Sequence, residues 1–280
     1  MTTITLKAPA KVNLGLRIIG KRDDGYHEID TIMIPIGWHD IVRLEKSSSL
    51  TLTCSDPSLP TDKNNLVLKA AMALQSRHNF RGASIHLIKN VPHGAGLGSG
   101  SSDAGATLRG LRTLWDLDVS DTALRSIAAT LGSDVPFFVA GRPARARGRG
   151  EVLEEIDLDL EGWILVVVPR IHISTSQAYS WIDNDSQARG PVREIGSSTL
   201  SKTPIDRNDF QSYVTNVHPE ISAIIEDLRS HGATYVSLSG SGSSVFGIFE
   251  TRVAADRAKL STVVAGSRLW LGHASEGLDL

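Results

Sequence analysis

Apolar and polar residues largely alternate from Thr3 to Ile19, with Val12, Leu14, Leu16 and Ile18 on one side and Lys11, Asn13 and Arg17 on the other. A period of two predicts a half-buried strand, followed by a turn at "KRDDG" (21–25). Strand-like runs recur at 29–36, 41–45, 50–54 and 83–88. Leu66, Ala70, Ala73 and Leu74 mark one face of a helix, and Ala104, Leu108, Leu111 and Trp115 mark another. Ser101, Ser102 or Asp103 is expected to cap the second of these. A third helix is predicted from a Ser120 cap through Leu124, Ile127 and Leu131 to a stop at Gly132. In the second half, "WILVVVP" (163–169), "TYVSLSG" (234–240) and "SVFGIFE" (244–250) predict strands, Asn208 or Asp209 is expected to open a helix, and 183–204 reads as a polar loop.

This mixture predicts an α+β fold. Near 150–160 the character of the chain changes, as "RARGRGE" gives way to an acidic connector, so two domains are expected, 1–155 and 156–280. A chain of 280 residues, 41% hydrophobic, is long enough to bury a core in each.

Charge removes several classes of function. Lys+Arg 29 against Asp+Glu 31 leaves a net charge of −2, so no global field draws the chain to nucleic acid or an anionic membrane. Any anion must be held by a local site. The single cysteine, Cys54, excludes an internal disulfide framework and a thiol-rich zinc cluster; Cys54 and His86 are expected to be packing residues. "MTTITLKAPAK" lacks the apolar core of a signal peptide, and the run at 163–169 is too short to span a bilayer. A soluble, cytoplasmic protein is expected, with a small molecule rather than nucleic acid or membrane as its partner.

One stretch departs from ordinary composition. In "PHGAGLGSGSSDAG" (92–105), Gly94, Gly96, Gly98 and Gly100 alternate with Ala95, Leu97 and Ser99, behind Pro92 and His93 and ahead of the hydroxyls of Ser101 and Ser102. A strand, a glycine turn and then a helix direct backbone N–H groups and the positive end of a helix dipole at one place, which fits polyphosphate. The every-second-residue spacing is not GxGxxG, and the nearest Walker A match, Gly15 to Gly20-Lys21, ends in Arg22 where Ser or Thr is required. No HExxH or GxSxG pattern is present. Arg145, Arg147 and Arg149 read as the solvated face of a strand edge.

"APAKVNLGL" (8–16), "PHGAGLGSGSSDA" (92–104) and "SLSGSGSSVFG" (237–247) resemble the three ordered motifs of the GHMP small-molecule kinases. Within that family "DDGYHEID" (23–30), "GSDVPFFVAG" (132–141) and "RGRGEVLEEI" (147–156) are similar to the branch whose acceptor is a cytidine diphosphate-linked methylerythritol. The resemblance implies an N-terminal domain like ribosomal protein S5 domain 2, a ferredoxin-like C-terminal domain, and transfer of the ATP γ-phosphoryl, with Mg²⁺, to the acceptor's 2-hydroxyl. Phosphoryl transfer needs a proton acceptor and neutralised charge. Asp134 is expected to take the proton, with Lys11 holding it ionised, and Asn13, about 6.6 Å along the same strand face, to reach the substrate. By the same resemblance Tyr26 and His27 bind cytidine. In "HISTSQAY" (172–179) Thr175 and Tyr179 match the family, whereas Ser174 and Ser176 stand where prolines are usual. Ser239, Gly240, Ser241 and Gly242 would brace the phosphate loop or touch phosphates, and Ser101 or Ser102 would meet the metal. Two other readings stay open: another GHMP kinase acting on homoserine, mevalonate or a sugar, and a non-catalytic nucleotide- or RNA-binding module on the S5-like fold.

Overall fold

The computed structural model describes residues 3–158, 160–184, 207–261 and 266–277. The first half contains strands β1 (Thr3–Lys21), β2 (His27–Lys46) and β3 (Thr51–Cys54), helix α1 (Leu66–Gln75), strand β4 (Ala83–Ile88), helices α2 (Ser99–Trp115), α3 (Asp121–Ala129) and α4 (Val135–Ala140), and strands β5 (Ala144–Gly148) and β6 (Val152–Glu155). The second contains β7 (Trp163–Val168), α5 (Thr175–Asp183), α6 (Gln211–Val217), α7 (Pro219–Ser230), β8 (Tyr235–Leu238), β9 (Val245–Phe249), α8 (Arg252–Ser261) and β10 (Arg268–His273). The polar loop expected at 183–204 lies, from 185 on, outside the described residues.

Strands β1 to β6 form one sheet. β2 is its spine: it pairs antiparallel with β1 along one edge, while β4 takes Ile41–Lys46 and β5 takes Ile29–Met33 on the other. The two runs expected at 29–36 and 41–45 are thus one strand of 20 residues, paired with β1 along most of its length and with β5 and β4 toward its two ends. Strands β7 to β10 form an antiparallel sheet in the order β10-β7-β9-β8, the ferredoxin-like arrangement.

Apolar layers hold these parts. One lies between the first sheet and α1, α2 and α3, another between the second sheet and α6, α7 and α8. A third joins the two halves: Val12, Ile32, Ile34 and Ile36 of the first sheet meet Ile164, Val166, Phe246 and Ile248 of the second. Being covered on both faces, β1 is buried at every position from Ala8 to Asn13, so Lys11 and Asn13 are interior groups. Gly105 and Gly110 are packing positions: a Cβ on either would strike Phe138, or Leu44 and Leu6, at 2.2–2.8 Å.

Several expectations need correction. α2 begins at Ser99 with Gly98 as its N-cap in the left-handed region, so no side chain of Ser101, Ser102 or Asp103 caps it. α6 begins two residues beyond Asp209, because the Asn208 side chain is spent on the carbonyls of Leu238 and Gly240 and the amide of Phe210. The three arginines do not share a solvated edge. Arg145 is mostly buried and grips Asp30 with two bonds of 2.8 and 2.6 Å, Arg147 faces Glu154, and Arg149 follows the strand and lies over the Tyr26 ring. His86 is exposed and bonded to Thr53, whereas Cys54 packs half-buried against the first core.

Candidate active site

A cavity of about 550 Å³ is lined by Lys11, Asn13, Gly94–Gly96, Gly98–Ser101 and Ser133-Asp134 from the first half, and by His172–Thr175, Tyr179 and Gly240–Gly242 from the second. The glycine loop forms its floor, and the alternation in the sequence has a direct cause. Ala95 and Leu97 point into the apolar layer between the sheets, 5% and 1% exposed. Gly94, Gly96 and Gly98 take φ of +65°, +80° and +68°, conformations that cost an L-residue with a Cβ dearly. A Cβ at Gly96 would also lie 2.1 Å from the Ser239 carbonyl.

Every backbone polar group needs a partner, and here the loop's accounts are one-sided. The carbonyl of Ala95 accepts from the Ser244 amide (3.2 Å), that of Gly96 from the Ser239 hydroxyl (2.9 Å), that of Leu97 from the Lys11 amide (3.0 Å) and that of Gly98 from the Ser102 amide (2.9 Å). Among the described residues no amide from Gly94 to Ser101 donates to a protein acceptor. The oxygens are tied to the scaffold and a run of N–H groups is left over at the N-terminus of a 17-residue helix, which is the arrangement an oxyanion needs. Ser239 and Ser244 thereby brace the loop from the second half of the chain. Ser101 lines the cavity, whereas Ser102 is buried outside its lining with its Oγ unpartnered.

Lys11 is brought to the same floor by a bulge. The β1–β2 register shifts between Pro9 and Lys11, which frees the Lys11 amide for Leu97 and re-aims the side chain. Its Nζ lies 3.9 Å from Asp134 Oδ2, and its Cε is beside Gly98. Burial pushes the Lys11 pKa below its usual value, and the Asp134 charge opposes that shift. Asp134 sits at the N-terminus of α4 without capping it, so its carboxylate stays available to the cavity. Phe138, from the next turn, packs on Gly98 and Gly105 and fixes α4 to the loop. Asn13, expected to reach the substrate, is occupied: Oδ1 accepts from Lys11 Nζ and Nδ2 donates to Thr31 Oγ1 at 3.0 Å. It orients the lysine.

Of the aromatic residues Tyr26, His27 and Tyr179, only Tyr179 lines the cavity. His27 is buried and stacks on Tyr179, with centroids 4.4 Å apart and planes at 14°, leaving no room for a third ring between them. Its Nε2 is 2.8 Å from Asp183 Oδ1, and Lys21 Nζ is 2.7 Å from the same carboxylate, so the β1–β2 hairpin is joined to the end of α5. Tyr179 also meets Phe210 edge-on. Burial first, and the Asp134 charge second, push its phenol up to about 12. Tyr26 is 56% exposed, with the Arg149 guanidinium 4.7 Å from its ring centre. Thr175 lines the cavity with Oγ1 3.5 Å from Ser241 Oγ.

Two features were not foreseen from the sequence. His172 places its ring over Gly94, about 3 Å from where a Cβ would stand; the imidazole marked the stretch "HISTSQAY", but nothing in it indicated contact with a loop 78 positions earlier. The other is a buried group of charges behind the loop, Asp40, Lys89 and Asp103 with Ser99. An aspartate inside the apolar run of β2 was the available signal.

The model of the GHMP kinases N terminal domain matches residues 65–142 and that of the GHMP kinases C terminal matches 194–261. The chain belongs to the GHMP kinase family, whose members are ATP-dependent small-molecule kinases. It is 45% identical over 265 residues to the 4-diphosphocytidyl-2-C-methyl-D-erythritol kinase of Salinibacter ruber, covering 91% of this chain and 93% of that one, and 42% identical to the protein of that name in Chlorobaculum parvum, covering 91% and 92%. A crystal structure of 4-(cytidine 5'-diphospho)-2C-methyl-D-erythritol kinase superposes with a TM-score of 0.83 at 34% identity, over 96% of this chain and 98% of that one. The homoserine kinase of Cytophaga hutchinsonii shares the fold, with a TM-score of 0.71 at 18% identity over 97% and 95%. Among the described residues no helix is long and apolar enough to cross a membrane.

Proposed function

We propose that this chain transfers the γ-phosphoryl group of ATP to the 2-hydroxyl of 4-diphosphocytidyl-2-C-methyl-D-erythritol. The run of undonated amides from Gly94 to Ser101, set against tied carbonyls, carries the kinase half of this reading; relatives at 40–45% identity over most of the chain support the choice of acceptor.

In this reading the triphosphate lies along the loop with its outer phosphate toward Gly98 and Lys11. Asp134 receives the proton of the acceptor hydroxyl, and Lys11, held by Asn13, neutralises charge that builds on the transferring oxygens. A loose transition state asks little covalent help of the protein, so placement and charge do most of the catalysis. The oxygens in the cavity fit Mg²⁺ carried in on the nucleotide. No three His, Cys, Asp or Glu side chains gather among the described residues, and Mg²⁺ takes most of its ligands from phosphate and water, with one or two from protein. The Ser101 hydroxyl would hold it, and it would screen the phosphate oxygens. At the acceptor end Tyr26 offers the ring face opposite Arg149 to the base, with Thr175 and Tyr179 on the far wall.

Incubation with Mg·ATP and each of the cytidyl compound, homoserine and mevalonate tests the assignment. Turnover of the cytidyl compound alone is expected; turnover of homoserine or mevalonate in its place would defeat the choice of acceptor.

A further inference from the structure

Asp40 stands on β2, outside the cavity, with its side chain wholly buried. Its Oδ1 accepts the backbone amides of Asn90 and Val91, the latter at 2.8 Å. Its Oδ2 accepts from the Lys89 ammonium and, at 3.2 Å, from the Ser99 hydroxyl. Lys89, itself 4% exposed, bonds in turn to Ser99 and, at 2.8 Å, to Asp103. Residues 89–91 lead into the glycine loop and Ser99 leads out of it, so one carboxylate holds both ends.

Stability alone is a poor reason for such a group. Burying charges is costly, and apolar side chains of similar volume commonly serve a core as well or better. What apolar packing does not supply is a fixed span between two chain segments. Burial would lower the Lys89 pKa, but Asp103 and Asp40 outweigh that and raise it, which keeps the ammonium charged and the link closed.

We infer that Asp40 is a positioning residue for the nucleotide: through Lys89, Ser99 and the amides of Asn90 and Val91 it sets the separation of the loop ends, so that the free amides are aligned before a triphosphate arrives. This inference rests on the nucleotide reading of the loop. Preorganisation of this kind acts on nucleotide affinity by reducing the ordering cost of binding, and none of the hydrogen bonds of Asp40 reaches the acceptor wall formed by α5.

The test is calorimetric titration of the full chain with a non-hydrolysable ATP analogue, together with Michaelis constants for both substrates. Asp40→Asn keeps an acceptor for the two amides but sets an uncharged group against the ammonium; it should weaken analogue binding about tenfold or more, raise KM for ATP in parallel and leave KM for the acceptor within about twofold. Ser99→Ala cuts only the exit link and should give a smaller loss with the same split. Asp30→Asn, which takes the charge from a buried pair with Arg145 whose two members do not line the cavity, serves as the control: it should lower the melting temperature without changing analogue affinity. The inference is overturned if a cooperatively melting Asp40→Asn binds the analogue like the parent, if both Michaelis constants rise together, or if Asp30→Asn loses nucleotide equally. Should Asp40→Asn not fold, unchanged analogue binding by Ser99→Ala overturns it. A parent chain that binds no analogue would defeat the nucleotide reading itself.

Discussion

Lys11 and Asp134 are separated by 123 positions and meet at 3.9 Å on the cavity floor. If Asp134 takes the proton, Asp134→Asn should lower turnover on the order of 10²–10⁴-fold, the range for loss of general-base help, while the nucleotide dissociation constant stays nearly unchanged; single-turnover kinetics and calorimetry would show this split. Tyr26→Ala removes the exposed ring face and should raise KM for the cytidyl compound several-fold with little effect on KM for ATP, measured by steady-state assay. At this scale the sequence was informative where chemistry is local. Glycines at every second position announce a loop that must approach something closely. Asn13 was less legible, because its two bonds, to Lys11 and Thr31, depend on a register set across β1 and β2. Asp40 and Lys89 were illegible for the same reason: a charge within a strand pattern reads as solvated unless the partner strand is known.

Among the elements, α4 has the largest consequence for its size. Its six residues were invisible to periodicity, being too short to display a helical period, yet they set Asp134 against the loop through Phe138. Phe138→Ala should cost roughly 3–5 kcal/mol of unfolding free energy, the range for truncating a buried aromatic, measured by urea denaturation; the folded fraction should also turn over more slowly because α4 loses its hold on Gly98. The helices expected around Leu66–Leu74 and Ala104–Trp115 were legible because one apolar face repeats over several turns. α5 was not: it buries only Ala178 fully, and its place follows from the bonds of Lys21 and His27 to Asp183 rather than from an apolar stripe.

Across the whole molecule, pH acts through a group the active site does not use. Burial is the main cause that raises the Asp103 pKa to about 7, from an ordinary carboxylate value near 3.8. Between those values the folded chain keeps a proton there that the unfolded chain has released, so stability falls as pH rises through the window. Asp103→Asn keeps an oxygen for Lys89 and removes the titration; its melting temperature should therefore decline less between pH 5 and 8 than that of the parent, compared by calorimetric scans in matched buffers.

Ala95 and Leu97 belong at once to the nucleotide floor and to the apolar seam that fastens one sheet to the other. Ligand grip and the joining of the halves are consequently one property: residues 1–155 produced alone would bare that seam to water and lose the latches from Ser239 and Ser244. Such a fragment is expected to bind no ATP analogue in a calorimeter, and tight binding by it would mean that the loop keeps its shape unaided.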